Sequence, residues 1–220
     1  MKPSYLLMIF SLLLAAAPLQ AEEFVEDEHY FEVFREHPAT DSSRVQVEEF
    51  FWYACPHCFN LDPFIKGWLK NKPENVDFAM VPAMFERPNV IMHAKTFYAL
   101  ELMGVGQEVH DAIFHAIHEE HNRLDTQEEV EALIEAKGVD IEAYRKAMKS
   151  FGVNVKANQA RDLAKDYEIS GVPTLIVGGK YRTRSFDGPR MLELLDFLVD
   201  KVAREQAAKA EVPPVAEATN

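Results

Sequence analysis

The sequence predicts an α/β fold interrupted by a segment that is entirely helical. Residues 44–53 are rich in β-branched and aromatic side chains, and they lead through a helical pattern to a second strand at residues 75–85. Residues 87–150 carry helical signals alone, whereas residues 155–202 return to a mixture of helix and strand. The strand, helix, strand order at the start predicts a parallel pair with a right-handed crossover.

The first 21 residues are predicted to be a cleaved export signal. Lys2 precedes a 12-residue apolar run from Leu6 to Ala17, and small residues lie near Ala21. A membrane-spanning helix would need about 20 apolar residues, so this run is too short to be one. Export would place the mature chain in an oxidising compartment, in which disulfides persist.

The chain is strongly acidic. It has 36 acidic and 23 basic residues, which gives a formal net charge of −13 at pH 7. This charge disfavours binding to nucleic acid and to anionic lipid.

Removal of 21 of the 220 residues leaves 220 − 21 = 199, enough for one large domain or a domain with an insertion. We expect a monomer.

The first α/β part begins with a strand that runs directly into the cysteines. Pro56 suits the first turn of a helix, where its missing N–H costs nothing. A helix is therefore predicted from Cys55 to Leu69, and the second strand follows Pro73.

The helical segment carries start and stop signals. Gly104 and Gly138 suit helix C-termini, because glycine adopts the left-handed conformation found there. Thr126 and Glu129 have the spacing of a capping box, and Asp140 can cap the helix that follows it.

The chain then returns to an α/β pattern. A helix is predicted at residues 155–167, a strand at Thr174–Val177, and a two-residue hairpin turn at Gly178 and Gly179. Residues 209–220 have little to bury and are predicted to be a disordered tail. The final helix is amphipathic, with an apolar side formed by Met191, Leu194, Leu195, Leu198 and Val202.

The chain has two cysteines, Cys55 and Cys58, with two residues between them. A structural disulfide that closes so short a loop would contribute only about 2 kcal/mol. A zinc site would need two further ligands, and the histidines form no obvious paired half-site. We therefore predict no metal site. A solvated helix surface is expected for a cluster of four histidines: His110, His115, His118 and His121.

A redox centre explains the position of the cysteines as well as their spacing. At the start of a helix, the sulfur of Cys55 faces unpaired backbone N–H groups, including those near His57 and Cys58. These groups stabilise the thiolate, which is the nucleophile of disulfide exchange, and His57 adds a group able to carry positive charge. Cys55 is predicted to be the exposed attacking thiol and Cys58 the buried resolving thiol.

The same electrostatics predict the direction of electron flow. A stabilised thiolate exists only in the reduced protein, so it favours acceptance of electrons. Each unit by which the pKa is lowered corresponds to about 1.4 kcal/mol, or roughly 30 mV for a two-electron couple. A strongly lowered pKa of Cys55 would make the protein an oxidant.

The ordered set of motifs resembles the DsbA family of periplasmic thiol:disulfide oxidoreductases. The set comprises "CPHC" after an "EFF" strand, "GVPT" more than 100 residues later, a helical block between them and an export signal. The resemblance implies a thioredoxin-like fold with an inserted helical domain, a low thiol pKa and an oxidising potential. It also implies a division of the chain into a signal peptide (1–21), a thioredoxin-like domain in two parts (22–85 and 152–208), an inserted helical domain (86–151) and the tail (209–220).

Two further sites follow from the resemblance. It implies that Val172 and Pro173 form a loop facing the disulfide, with Pro173 in a cis peptide that exposes the backbone of Val172 to an extended substrate. From the residues alone, an ordinary turn proline is the alternative. It also implies an acidic residue at Glu49, which could carry the proton of Cys58.

Strand alternation supports an inward position for Glu49, in phase with Val47 and Phe51. The alternative is a solvated carboxylate at a sheet edge. Some relatives pair this acid with a lysine on the next strand, but Met80 occupies the matching position here, which argues against a buried ion pair.

The resulting hypothesis is a periplasmic oxidase that donates its Cys55–Cys58 disulfide to reduced, unfolded exported polypeptides through a mixed disulfide. The resemblance implies reoxidation by a DsbB-like membrane protein that passes electrons to quinone, and no cofactor in this chain. One alternative is a reductase or isomerase that is kept reduced. Another is a periplasmic binding or chaperone protein with a structural Cys-x-x-Cys.

Overall fold

The structure is a computed structural model that describes residues 24–211. The predicted export signal and residues 212–220 lie outside the described residues. None of the helices within residues 24–211 is both long enough and apolar enough to span a membrane.

Five strands and seven helices are described within residues 24–211. In chain order they are β1 (Tyr30–Glu32), β2 (Val45–Phe51), α1 (Pro56–Leu69), β3 (Val76–Pro82), α2 (Pro88–Leu102), α3 (Gly106–His118), α4 (Gln127–Ala136), α5 (Ile141–Met148), α6 (Phe151–Asp166), β4 (Thr174–Val177), β5 (Tyr181–Thr183) and α7 (Gly188–Glu211). The fold class and the order of elements agree with the sequence-based prediction, except that β1 was not predicted.

The strands form one sheet in the order β1-β5-β4-β2-β3. The β2 and β3 strands are parallel, as predicted, whereas β4 runs antiparallel to β2 and to β5. The predicted two-residue hairpin turn is one residue too short, because Val177 pairs with Tyr181 and leaves three residues in the loop. Gly178 and Gly179 have φ values of +65° and +62°, a conformation that favours glycine.

The predicted caps of the helical segment are confirmed. The Thr126 side chain accepts from the Glu129 N–H, the Glu129 side chain accepts from the Thr126 N–H, and Asp140 caps α5. Helix α6 begins at Phe151, four residues earlier than predicted, because Ser150 caps its N-terminus. The division into domains at residues 86 and 152 stays a prediction.

The sheet separates two clusters of buried side chains. One cluster contains both cysteines and the apolar faces of helices α2 to α6. The other lies under α7 and the opposite side of α1, and it includes all five apolar residues predicted for the final helix. Helix α7 continues through Glu211, so residues 209–211 are helical and do not belong to the predicted tail.

Candidate active site

The cysteine motif lies where β2 gives way to α1. Cys55 is the N-cap residue of α1, with an extended backbone (φ −88°, ψ 115°), and Pro56 is in the first turn. The backbone N–H of Cys58 donates to the Sγ of Cys55 over 3.4 Å. The sulfur is therefore placed at the positive end of the helix, where a thiolate is stabilised.

The two thiols have very different proton affinities. The pKa of Cys55 is lowered from 9.0 to about 6, chiefly by a hydrogen bond from the Cys58 side chain. Burial opposes this shift, while the N–H groups of Cys58 and His57 and the charge of His57 reinforce it. Burial raises the pKa of Cys58, and the neighbouring Cys55 raises it further. At neutral pH Cys55 is a thiolate and Cys58 a thiol.

The predicted exposure of Cys55 is wrong. Cys55 is only 7% exposed, whereas Cys58 is fully buried as predicted. The carbonyl oxygen of Val172 lies 3.3 Å from the Cys55 sulfur and covers part of it. By contrast, Pro56 and His57 are exposed beside it. A partner must therefore reach Cys55 between the helix start and the loop that carries Val172.

This loop contains the predicted cis peptide bond between Val172 and Pro173. Val172 is half-buried and Pro173 is buried, while Gly171 is exposed. The hydroxyl of Thr174 donates to the carbonyl of Gly171 over 2.9 Å and closes the turn. The sequence-predicted residues Cys55, Val172 and Pro173 are thus brought together from positions more than 100 residues apart.

Glu49 is buried at the centre of the sheet. It is 2% exposed, and its neighbours in register are Met80 on β3 and Leu175 on β4. Burial raises its pKa from 4.5 to about 8, and the negative charges of Asp62 and Cys55 add to the shift. Glu49 is therefore predominantly protonated at neutral pH. The solvated-edge alternative is wrong, and Met80 does occupy the position that faces it.

A second buried carboxylate, Glu48, was missed. It is 6% exposed, it hydrogen-bonds Tyr167, and burial raises its pKa. Strand alternation assigns adjacent residues to opposite faces, and only Glu49 was predicted to lie inward. Helices cover both faces of β2, so both are buried. The sequence offers no local signal for this burial, because the position of β2 between β3 and β4, where strands are commonly buried on both sides, is known only from the structure.

The predicted solvated cluster of histidines is wrong for His110, which is 2% exposed, and His118 is half-buried. His115 and His121 are exposed, as predicted. Within residues 24–211, no group of three or more His, Cys, Asp and Glu side chains is arranged to hold a metal ion.

A low-pKa thiol at a helix N-terminus, a second, buried thiol one turn later and a facing cis-proline loop on this sheet define a thiol:disulfide oxidoreductase with a thioredoxin fold. Comparison with known proteins identifies the family. Residues 46–199 match the profile of a family described as DSBA-like thioredoxin domain. The chain belongs to the DsbA family.

Similar proteins cover most of the chain. It is 38% identical over 203 residues to the thiol:disulfide interchange protein DsbA of Pseudomonas aeruginosa, which covers 88% of this chain and 95% of that protein. The DsbA of Burkholderia cepacia is 42% identical over 164 residues, covering 73% and 77%. A crystal structure of Pseudomonas aeruginosa DsbA matches with a TM-score of 0.78 at 36% identity, covering 86% of this chain and 98% of that one.

Proposed function

We propose that this chain is a periplasmic disulfide oxidase that donates a Cys55–Cys58 disulfide to reduced, unfolded exported polypeptides. The observation that carries the proposal is the position of the Cys55 sulfur, 3.4 Å from the Cys58 backbone nitrogen at the N-cap of α1. Stabilisation of the thiolate there favours the dithiol form, so the disulfide form is a good acceptor of electrons.

The transfer proceeds in two exchanges. A substrate thiolate attacks the sulfur of Cys55, a mixed disulfide forms, and Cys58 leaves and takes up a proton. A second substrate thiolate then attacks the substrate sulfur of the mixed disulfide and expels Cys55 as a thiolate. Two electrons pass from the substrate dithiol to the protein. The low pKa of Cys55 makes it the better leaving group, which favours release of oxidised product.

Glu49 is proposed to carry the proton of Cys58. The carboxyl group has a pKa of about 8. It therefore holds a proton at neutral pH and releases that proton when the pH rises only slightly above neutral. Its charge also contributes to the raised pKa of Cys58. A buried thiol needs such a neighbour, because proton exchange with water is hindered there.

Substrates are proposed to bind along the cis-proline loop. The carbonyl of Val172 lies beside the Cys55 sulfur and the residue is only half-buried, so an extended polypeptide can pair with its backbone while a substrate cysteine reaches the sulfur. Pro56 and His57 flank the approach on the exposed side. This mode depends on backbone contacts, which suits unfolded substrates of varied sequence.

The reduced protein must be reoxidised by another protein. Relatives named thiol:disulfide interchange protein DsbA support a DsbB-like membrane protein that passes electrons to quinone as the partner. We propose that the chain acts as a monomer and needs no cofactor of its own for the exchange.

The direction of transfer can be tested with reduced, unfolded ribonuclease. At pH 7, oxidised protein should convert substrate thiols to disulfides stoichiometrically. One protein disulfide should be reduced to the dithiol for each substrate disulfide formed. The matched control is protein reduced and alkylated beforehand, which should transfer nothing. The proposal is contradicted if the substrate stays reduced while the dithiol form readily reduces the disulfides of insulin.

A further inference from the structure

Three histidines of the helical segment contact Trp52 and Tyr53, shortly before Cys55 in the chain. The indole N–H of Trp52 donates to Nδ1 of His93 over 3.1 Å. The Tyr53 hydroxyl lies 3.2 Å from Nδ1 of His110, and the Tyr53 carbonyl lies 2.8 Å from Nε2 of His118. The helices α2 and α3 therefore hold the segment that delivers Cys55 to the start of α1.

Of these three contacts, only that of His118 is made to a main-chain atom. Its Nε2–H donates to the carbonyl oxygen of Tyr53. The same ring stacks on Phe59, with 4.7 Å between the ring centroids and 17° between their planes. Phe59 in turn donates its backbone N–H to the carbonyl of Cys55. His118 thus touches the chain on both sides of the nucleophile.

The Tyr53 carbonyl lies within a tight turn. The backbone N–H of Cys55 donates to the carbonyl of Trp52 over 2.9 Å, so Tyr53 and Ala54 are the central residues of the turn. Rotation of the peptide between them would change the direction in which Cys55 leaves the turn. The contact from His118 restrains that peptide, and it comes from a helix outside the strand and the helix that the turn connects.

We propose that His118 is a positioning residue for Cys55: its N–H holds the Tyr53 carbonyl and thereby keeps the Cys55 sulfur against the first N–H groups of α1. The inference deepens the proposed function, since it rests on Cys55 as the nucleophile of the exchange. His93 and His110 support the same segment through side chains. Both ring nitrogens of His93 have hydrogen-bond partners: Nδ1 accepts from Trp52, and Nε2 lies 2.7 Å from the carbonyl oxygen of Leu124.

The test replaces the His118 ring with side chains that either keep or lack an N–H donor. His118→Phe keeps the stacking on Phe59 and removes the N–H, whereas His118→Gln retains an N–H donor. His115 lies on the same helix but is exposed, with Glu120 as its partner, so His115→Phe is the matched control. The quantity to measure is the pH dependence of Cys55 alkylation, with the 240 nm absorbance of the thiolate as a second readout.

The wild-type protein and His115→Phe should titrate at a pKa of about 6. His118→Phe should raise the pKa of Cys55 by about one unit, so that the thiolate fraction at pH 5 falls about tenfold. His118→Gln should stay close to wild type. If His118→Phe does not fold, His118→Leu provides the same loss of the donor.

A donor-free variant that titrates like wild type would overturn the proposal, even if its melting temperature fell, since a purely structural role predicts that pattern. Equal shifts in the Gln and Phe variants would also overturn it, because the donor would then not matter. The result is independent of the direction of electron transfer. A shifted pKa in a protein that fails to oxidise ribonuclease would refute the proposed oxidase and retain the role of His118.

Discussion

Replacement of Cys55 by serine is expected to abolish disulfide transfer, with a loss of about a thousandfold or more that leaves only the uncatalysed rate. A serine oxygen cannot form the mixed disulfide. The remaining thiol, Cys58, cannot substitute for it, because it is fully buried and its pKa is raised. The measurement is the initial rate of oxidation of reduced ribonuclease at pH 7.

The matched variant is Cys58→Ser, which should separate the two thiols by role. Cys55 remains reactive there and should form a mixed disulfide with glutathione that persists, since no resolving thiol is present. Mass spectrometry after mixing with oxidised glutathione detects this adduct. The assignment of roles would be contradicted if Cys55→Ser formed the stable adduct and Cys58→Ser did not.

The second large effect is expected at Glu49. Its pKa in the folded protein, about 8, is raised above its ordinary value of 4.5, so the folded state keeps a proton that the unfolded chain has lost between these two pH values. The carboxyl group therefore lowers stability progressively as pH rises from 4.5 to 8. Glu49→Gln does not titrate and should increase the free energy of unfolding at pH 7 by about 3 kcal/mol.

Urea unfolding of the reduced proteins at several pH values measures this effect. The advantage of Glu49→Gln should vanish as pH falls towards 4.5, where the wild-type carboxyl is protonated in both states. Glu86→Gln is the control, because Glu86 is exposed and its replacement should change stability by less than about 0.5 kcal/mol. A Glu49→Gln variant less stable than wild type at pH 7 would show that the buried group is charged and favourably paired.

The active-site motif could be predicted because its signals are local. Pro56 marks the first turn of α1, and the spacing of Cys55 and Cys58 is one helical turn. The inward position of Glu49 followed from strand alternation, whereas Met80 as its neighbour on β3 came from the resemblance. The cis bond at Pro173 came from the resemblance and not from a local rule.

The features that were missed depend on contacts between distant segments. Strand β1 has only three residues, too few for a pattern, and it pairs with β5 about 150 residues later. Glu48 is buried because Tyr167, far along the chain, lies against it. The face of α3 that carries His110 and His118 is covered because it packs on the active-site segment, and a helical repeat alone does not show which face a partner will cover.

The most direct test of the central claim compares the unfolding of the oxidised and reduced proteins between pH 5 and pH 9. Because the pKa of Cys55 is lowered from 9.0 to about 6, the thiolate stabilises the reduced fold fully above pH 9, partly between pH 6 and 9, and not below pH 6. At pH 7 this contribution is about 1.4 kcal/mol. We expect the reduced form to be the more stable one, by a margin that grows with pH over this window. A more stable disulfide form, or a difference that does not change with pH, would contradict the account.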